Sequence, residues 1–278
     1  MTGLSQDEAA AYRRDGYVFP VEVMAEDDAV ALRKQIETVE RRVKTEQGVS
    51  HQRFRSFCHL LMPSIDRLVR EPAILDPVDS ILGPDLMVWS AEFFIKDAHT
   101  PNHVSWHQDL TYWGLDSTDE VTAWVALSDV TVESGCMRFV PGSHKREIVA
   151  HRDTFADDNM LTRGQEIAVA FDDSAAVDIV LKPGQMSLHH GRMFHASGPN
   201  RSDARRFGLA VRYIAPSMRQ AVGERDFAVL VRGEDRYGHF VTLPAPTGDF
   251  MPEALEMCTE IDREQAAYFY RGTEPRYK

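Results

Sequence analysis

The chain has 278 residues, of which 43% are hydrophobic and 27% charged, so it holds enough apolar material for one large folded domain and does not have the composition of a disordered chain. Its formal net charge of -12 argues against a nucleic-acid-binding protein, which needs a basic surface. The three cysteines, Cys58, Cys136 and Cys258, form no CxxC pair and no disulfide framework, which favours a reducing compartment. The sequence has no signal-peptide pattern and no apolar run of about 18 residues, so we predict a cytoplasmic location and no membrane span.

The first third of the chain carries helical patterns. Ser5 and Glu8 have the spacing of a capping box ahead of an alanine-rich segment that stops at Gly16. A longer segment places acidic residues early, basic residues late and apolar residues at helical spacing. The predicted helices cover residues 5–14, 25–47 and 71–83, with a strand over 17–23 between the first two.

From residue 84 onward the sequence changes to short segments rich in β-branched and aromatic residues, separated by Gly, Pro, Asn or Asp. This texture predicts a mainly β fold, a sandwich or barrel of the jelly-roll type. The polar stretch 151–175 is predicted to be a long loop and a candidate lid, and the chain from 217 onward shows no clear pattern. The predicted strands lie within residues 85–96, 121–130, 135–143, 178–191 and 206–216.

Eleven histidines offer several candidate metal sites. His99, His103 and His107 are spaced by four, as on one face of a helix, but a proline and an asparagine between them argue against helical geometry. His189 and His190 are adjacent on a predicted strand, where neighbours face opposite ways and cannot easily serve one metal. Neither group is favoured as a metal site.

The stretch SWHQDLTYWG, residues 105–114, is the stronger candidate. On a strand, His107 and Asp109 would share one face, either as a surface ion pair or as two metal ligands. A distant His195 would complete the two-histidine, one-carboxylate triad of non-haem Fe(II) oxygenases. If the chain after His195 turns back antiparallel, Arg206 lies beside the strand that ends there and can bind a carboxylate with two hydrogen bonds.

Taken in order, the segments FFIKD, WHQDLTYW, TAWVALSDVTVESGCMRFVPGSHK, LHHGRMFHASGPNRSDARRFG and AVRY resemble the phytanoyl-CoA dioxygenase family of Fe(II)/2-oxoglutarate-dependent oxygenases. The resemblance covers roughly residues 80 to 215. It implies a double-stranded β-helix of the jelly-roll, cupin-like type, with Fe(II), 2-oxoglutarate as co-substrate and O2. The implied iron ligands are His107, Asp109 and His195. The implied contacts of 2-oxoglutarate are Arg206, Ser197, Trp124 and Lys96.

The resemblance leaves two charged residues without a role. A family position that contacts the co-substrate falls on Glu92, which we leave outside the co-substrate shell. By strand alternation Arg212 shares a face with Arg206, and both a structural and a ligand-binding role stay open for it. Related halogenases replace the carboxylate of the triad with a small residue. Since Asp109 keeps that carboxylate, hydroxylation or another oxidation is favoured.

We predict a single Fe(II)/2-oxoglutarate oxygenase domain over residues 1–278, with a mostly helical part (1–83), a β core (84–216) and a C-terminal extension (217–278). Its predicted reaction is hydroxylation of a C–H bond of a small polar molecule. Aromatic walls can hold an alkylammonium group and arginines a phosphonate or carboxylate, so an aminoalkylphosphonate or a betaine-like zwitterion is the substrate hypothesis. The predicted substrate contacts are Trp89, Phe93, Tyr112, Trp113, Arg163, His189 and Arg192.

Two alternatives stay open. The first keeps the same cofactors but carries out desaturation, cyclisation or epimerisation of a secondary metabolite. The second is a non-catalytic β-sandwich that binds a metal or a sugar, which would have no need of a buried Arg206. The only expected partner is a small-molecule substrate, with neither nucleic acid nor membrane, and a homo-oligomer is left open.

Overall fold

The computed structural model describes residues 3–272. Helices dominate the part that precedes residue 83. The first of them begins at the predicted capping box, where the Ser5 side chain accepts a hydrogen bond from the Glu8 backbone N–H and Glu8 caps the Ser5 N–H in return. The helices are α1 (Gln6–Asp15), α2 (Glu26–Glu46), α3 (His51–Arg55), α4 (Cys58–Leu61), α5 (Pro63–Val69), α6 (Pro72–Leu82) and α7 (Pro252–Phe269).

The strands form two sheets that face each other, together with a small separate hairpin, which confirms the predicted jelly-roll type of fold. The large sheet has the order β1-β9-β4-β11-β2-β12-β13, and the small sheet has the order β3-β10-β5-β8. The hairpin pairs β6 with β7. The strands are β1 (Tyr17–Glu22), β2 (Leu86–Lys96), β3 (Val104–His107), β4 (Glu120–Ala126), β5 (Met137–Phe139), β6 (His151–Asp153), β7 (Gln165–Ile167), β8 (Val177–Ile179), β9 (Gln185–His190), β10 (His195–Ser197), β11 (Arg206–Ile214), β12 (Phe227–Arg232) and β13 (Val241–Thr242).

The large sheet separates the two chemically different halves of the interior. One of its faces packs against the helices and forms the main apolar core, which includes Ile36, Leu61 and Phe207. The other face, which carries Trp124 and Ala210, packs towards the small sheet in a second and smaller apolar cluster. Polar residues can therefore gather between the sheets while the helix side supplies most of the buried apolar area.

Several elements lie outside the pattern predicted from the sequence. Helices α3 to α5 and α7 had no prediction, and the loop predicted over 151–175 contains the β6–β7 hairpin. The sheet is also not confined to 84–216, because β1, β12 and β13 join it from either side. Of the predicted C-terminal extension, residues 273–278 lie outside the described part of the chain.

The strand that begins at Arg206 lies in a different sheet from the strand that holds His195, whereas the sequence predicted that these two strands pair. β11 pairs antiparallel with β2 and β4 in the large sheet, whereas β10, which holds His195, pairs with β3 and β5 in the small sheet. The prediction that these two strands pair is wrong, because the turn between them carries the chain from one sheet to the other. Arg206 therefore faces His195 across the space between the two sheets, and not from a hydrogen-bonded neighbouring strand.

Within residues 3–272, none of the helices combines the length and the apolar character that crossing a bilayer requires.

Candidate metal centre

Two short strands of the small sheet bring the predicted triad together. His107 is the last residue of β3 and His195 the first of β10, and the two are directly opposite in the antiparallel register. Asp109 lies just beyond the strand, at the start of a 3-10 turn over Asp109–Thr111. His107 Nε2 lies 3.1 Å from Asp109 Oδ1, and His195 Nε2 lies 3.8 Å from the same oxygen.

The residue between the first two ligands anchors the turn. Gln108 is fully buried and points away from the ligands, as strand alternation predicts. Its side-chain amide donates to the Arg192 carbonyl at 3.0 Å and accepts from the Val149 N–H at 2.9 Å. These bonds hold the chain where the strand ends, so the Asp109 carboxylate stays on the side of His107.

Backbone carbonyls fix which nitrogen of each imidazole is free. His107 Nδ1 lies 2.9 Å from the Ser105 carbonyl oxygen, and His195 Nδ1 lies 3.0 Å from the Met193 carbonyl oxygen. A carbonyl can only accept, so each Nδ1 carries the proton and each Nε2 presents a lone pair. Both lone pairs then face the Asp109 carboxylate, as metal ligands require.

The charges of the cluster suit a divalent cation. Burial raises the pKa of Asp109, but in the metal-free site the charge and hydrogen bonds of His195, His107 and His189 in their protonated forms lower it by more, to well below its usual range. A bound cation would take the place of those protons. Burial lowers the pKa of His195 well below its usual value, which keeps the ring neutral. Two neutral imidazoles and one carboxylate are the donor set of a non-haem Fe(II) site.

The rejected histidine groups do not gather around a metal. His99 lies at the surface beside Asp203, and His103 lies 3.6 Å from Asp158. His190 accepts a hydrogen bond from the Arg192 backbone N–H at 2.9 Å. Across residues 3–272, the three-residue group with metal-ligating atoms within 4.8 Å of one another is His107, Asp109 and His195.

The triad opens into a cavity, here called the inner cavity, that holds about 390 Å³ of space free of atoms. Its far end is lined by the buried guanidinium of Arg206, at the start of β11, and by Ser197, which contacts the buried amine of Lys96 at the end of β2. Lys96 Nζ donates to Ser197 Oγ at 2.7 Å and also to the Gly198 carbonyl. Arg206 donates from Nη1 to the Gly135 carbonyl, while its Nε has no partner.

No carboxylate within the described residues pairs with Arg206 or Lys96. Burial, together with the Arg206 guanidinium, lowers the pKa of Lys96 to about 6. A buried guanidinium without a counter-charge is costly, and an anionic ligand would remove that cost and favour protonation of Lys96 beside it. The inner cavity therefore fits a molecule that binds the triad at one end and presents a carboxylate at the other, as 2-oxoglutarate does.

The indole ring of Trp124, on β4, packs against the guanidinium of Arg206. The guanidinium lies 5.3 Å from the indole ring centroid, within the range of a cation–π contact. Gly208 makes room for this ring, because a Cβ at that position would overlap the indole. The strand pair β4–β11 thus places an aromatic support and its arginine on one face.

A second, outer cavity of about 720 Å³ adjoins the first and shares Phe94, Asp109 and Arg212 with it. Arg212 is 7% exposed, and its guanidinium lies 5.7 Å from the Phe94 ring and 5.5 Å from the Trp113 ring. Its Nη1 lies 2.9 Å from Glu92 Oε2. The two residues that the sequence left without a role therefore form an ion pair at the junction of the cavities.

The structure separates the predicted substrate contacts into three groups. Trp89, Tyr112, Trp113 and Arg163 line the outer cavity, and His189 lines the inner one. The remaining two, Phe93 and Arg192, line neither of these cavities.

Phe93 and Arg192 are corrections to the predicted set. Alternation along β2 turns Phe93 to the helix side of the sheet, where its ring stacks on Phe54 at 5.5 Å. Arg192 follows β9 in a turn and pairs with Glu147 at 3.0 Å near the surface.

Some residues that line the cavities had no prediction. Phe94, Thr122 and Ala210 line the inner cavity, and Met160 and Leu161 of the predicted loop line the outer one. The first group lies on strand faces already identified by Lys96, Trp124 and Arg206, so the period of two could have found it. No local signal marks the second group, because that wall depends on where the β6–β7 hairpin packs.

Comparison with known proteins agrees with this geometry. The sequence model of phytanoyl-CoA dioxygenase (PhyH) matches residues 12–208. The chain is 32% identical over 151 residues to L-proline trans-4-hydroxylase of Streptomyces griseoviridis, which is 51% of this chain and 56% of that protein. In this hydroxylase, in a probable hypophosphite dioxygenase of Stutzerimonas stutzeri and in an ectoine dioxygenase of Bordetella parapertussis, the matched region spans 55% to 65% of the relative's length.

Two solved structures extend the similarity over nearly the whole chain. The apo form of ThoJ, a non-heme monooxygenase, is 38% identical with a TM-score of 0.84, over 95% of this chain and 98% of that one. The alpha-ketoglutarate-dependent carbocyclase SnoK from nogalamycin biosynthesis is 27% identical with a TM-score of 0.61, over 89% and 93% of the two chains.

Proposed function

The chain belongs to the phytanoyl-CoA dioxygenase family of Fe(II)/2-oxoglutarate-dependent oxygenases, and on that premise we propose that it hydroxylates a C–H bond of a small polar molecule. One observation carries the proposal. The His107–Asp109–His195 cluster and Arg206, a buried cation without a carboxylate partner, line the same cavity, at its two ends. A ligand with a keto acid at one end and a carboxylate at the other satisfies both.

In this proposal each residue of the inner cavity has a defined task. His107, Asp109 and His195 hold Fe(II), which with 2-oxoglutarate and O2 supplies the chemistry that oxidises a C–H bond and releases succinate. Arg206 binds the far carboxylate of 2-oxoglutarate, and Lys96 and Ser197 lie within reach of the same group. Trp124 supports Arg206 and, with Phe94, keeps water from the cavity.

The outer cavity supports a zwitterionic substrate, such as an aminoalkylphosphonate or a betaine-like compound. Its charged residues include the Arg212–Glu92 ion pair, which lies beside the aromatic rings of Trp89, Tyr112 and Trp113. An oxyanion can bind Arg212, and an ammonium group can bind Glu92 or an aromatic face. The relative named for L-proline acts on a molecule of this kind, since proline carries both charges at neutral pH.

A second outcome, cyclisation or another oxidation without oxygen insertion, is favoured by one observation. The carbocyclase SnoK shares the fold at 27% identity and depends on the same co-substrate. The non-catalytic β-sandwich that binds a metal or a sugar has no such support, because the family consists of oxygenases. It would also leave Arg206 buried without a ligand.

The test starts with anaerobic addition of Fe(II) and 2-oxoglutarate and measures the weak visible charge-transfer band of the chelate. The unaltered chain should give the band, and His107→Ala should not. If the unaltered chain gives no band and binds no 2-oxoglutarate, the oxygenase proposal is wrong.

Succinate release is then measured with L-proline, glycine betaine and 2-aminoethylphosphonate as probes. A substrate should raise succinate release above the substrate-free rate. A product that gains one oxygen atom indicates hydroxylation, a product that loses two hydrogens indicates cyclisation or desaturation, and an isomer of unchanged mass indicates epimerisation. Stimulation by uncharged analogues but by none of the zwitterions would contradict the substrate class.

We also propose a cytoplasmic location, supported by three cysteines that are all free and buried in the structure. A homo-oligomer stays a prediction that light scattering of the purified chain would test.

A further inference from the structure

His189 is a fourth imidazole inside the inner cavity, and the proposed chemistry gives it no task. It lies on β9, opposite Thr122 of β4, and is 1% exposed. Its ring lies 4.9 Å from the ring of His195 and 4.9 Å from that of Phe139, so packing on both sides fixes its orientation. Neither of its ring nitrogens has a hydrogen-bond partner in the structure.

A buried imidazole without partners is expensive. Taking a polar group out of water without replacing its hydrogen bond costs about 1 to 3 kcal/mol in proteins. Such a group at a functional site therefore indicates a partner that arrives with the ligand or the metal. The direction in which the His189 imidazole points indicates which group this hydrogen-bond partner is.

The carboxylate beside His189 is that of Asp109, which turns its outer oxygen, Oδ2, towards the ring. Oδ1 faces the Nε2 atoms of His107 and His195, so Oδ1 is the oxygen placed to bind a metal. Oδ2 turns the other way and lies 3.9 Å from His189 Nε2, just beyond hydrogen-bond distance. A shift of about 1 Å would bring that pair to the usual length of such a bond.

Direct ligation of the metal by His189 fits the geometry less well. The ligating atoms that lie within 4.8 Å of one another belong to His107, Asp109 and His195, and His189 is not part of that group. Its Nε2 faces the carboxylate oxygen that points away from the other two imidazoles. A role as a substrate contact, which the sequence predicted, also fits less well, because His189 lines the inner rather than the outer cavity.

We propose that His189 is a positioning residue for the metal centre, which donates a hydrogen bond from Nε2–H to Asp109 Oδ2. This bond would hold the carboxylate so that Oδ1, the oxygen beside His107 and His195, is the one presented to a metal, while Oδ2 is occupied by His189. Partners of this kind orient a ligating carboxylate, and their loss typically weakens metal binding by about 10- to 100-fold. The inference rests on the proposed metal centre but does not depend on the substrate.

The experiment measures Ni(II) affinity by competition with a chelator, so that the readout is independent of turnover. His189→Phe removes the donor and preserves ring size, whereas His189→Gln restores an N–H donor near the position of Nε2. His190→Phe is the matched control, because the adjacent ring lines neither cavity and contacts His144 at 5.4 Å. The thermal midpoint of each metal-free variant is recorded beside its affinity.

We expect His189→Phe to bind Ni(II) about 10- to 100-fold more weakly than the unaltered chain, His189→Gln to recover most of that loss, and His190→Phe to match the unaltered chain. The metal-free midpoint should not follow the affinity, since a merely structural role would move the midpoint instead. Equal Ni(II) affinity in His189→Phe and the unaltered chain overturns the positioning role alone.

Two further outcomes would also overturn the inference. X-ray absorption of the Ni(II) complex that shows one imidazole fewer in His189→Phe would make His189 a direct ligand. No Ni(II) binding by the unaltered chain would remove the metal centre itself, and the positioning role with it.

Discussion

Arg206 and Arg212 lie six residues apart on β11, face the same side of the sheet and are both almost fully buried. Each guanidinium lies over a tryptophan, Trp124 at 5.3 Å and Trp113 at 5.5 Å. They differ in their counter-charges, because Arg212 is paired with Glu92 whereas Arg206 has no carboxylate partner and has the buried amine of Lys96 as its neighbour. The inner end of the site is therefore built for one obligatory anion.

At the outer end, Glu92 already neutralises the charge of Arg212 before a ligand arrives. An unpaired buried cation commits a site to a ligand of opposite charge, because the empty site carries the cost of that charge. A paired cation carries no such cost, and it can exchange its partner for the two charges of a zwitterion. One cavity is thus specific by charge, and the other is open to a range of polar molecules.

Truncation of each arginine should give the largest contrast. Arg206→Met should weaken 2-oxoglutarate binding by about 2 to 5 kcal/mol, roughly 30-fold to several thousand-fold, because the far carboxylate would lose a buried charged partner. Arg212→Met should change that affinity by less than about threefold. The measurement is an anaerobic titration of the chelate band. An equal loss in both variants would remove the distinction between the two ends.

The second-largest effect is expected from disturbing Trp124, the ring that packs against Arg206. Gly208→Ala places a methyl group into the Trp124 ring, so the indole must move and the guanidinium of Arg206 loses its packing contact with the indole. Overpacking of this kind costs about 1 to 3 kcal/mol of folding stability, and we expect 2-oxoglutarate affinity to fall with it. Urea unfolding and the same titration check both effects.

Gly198→Ala is the control for this prediction, since a Cβ there meets nothing within 4 Å. It lies next to Ser197, yet it should leave stability and affinity unchanged. A comparable loss in Gly198→Ala would mean that the effect of Gly208→Ala does not arise from the Trp124 ring.

Lys96 should make co-substrate binding depend on pH. With the pKa of Lys96 lowered to about 6, the amine is largely neutral at pH 7.5 in the free protein, and an incoming carboxylate favours its protonated form. Binding then takes up a proton, so affinity should fall as pH rises above about 6, by at most about tenfold per pH unit. Calorimetry at pH 7.5 in buffers of different ionisation enthalpy measures the uptake.

In Lys96→Met the proton uptake should vanish and the affinity should be flat between about pH 6.5 and 8.5. The sign for stability follows from the same shift. The unfolded chain binds more protons at this group than the folded chain does, so its contribution to the free energy of unfolding rises with pH between about 6 and 10.5. Proton release on binding would contradict the assignment.

The smallest effect is expected at the outer end. Glu92→Gln leaves Arg212 without its carboxylate and should lower the free energy of unfolding by about 1 kcal/mol, since the Glu92 side chain is 35% exposed and water screens the pair. Glu147→Gln breaks the exposed pair with Arg192 and should cost less than about 0.5 kcal/mol. Urea midpoints compare the two variants, and a reversed order would mean that the Arg212–Glu92 pair is not the more buried interaction in solution.

Local sequence patterns predicted some helices correctly and gave no prediction for others. The capping box of α1 and the charge pattern of α2 were sufficient because each lies within one helix. Helix α7 was not predicted, although its buried residues Ala254, Cys258 and Ile261 follow helical spacing. The short helices between 51 and 69 had no such signal, because segments of four to seven residues barely complete two turns.

The sequence by itself determined the chemistry of the metal centre. The order of His107, Asp109 and His195 within their motifs supplied the donor set, and alternation along β11 placed Arg206 and Arg212 on one face. Only the tertiary structure decided which sheet carries Arg206, that Glu92 reaches Arg212, and that His189 faces the outer oxygen of Asp109. These contacts join segments that are distant along the chain, and local periodicity contains no information on which strands of two facing sheets lie opposite each other.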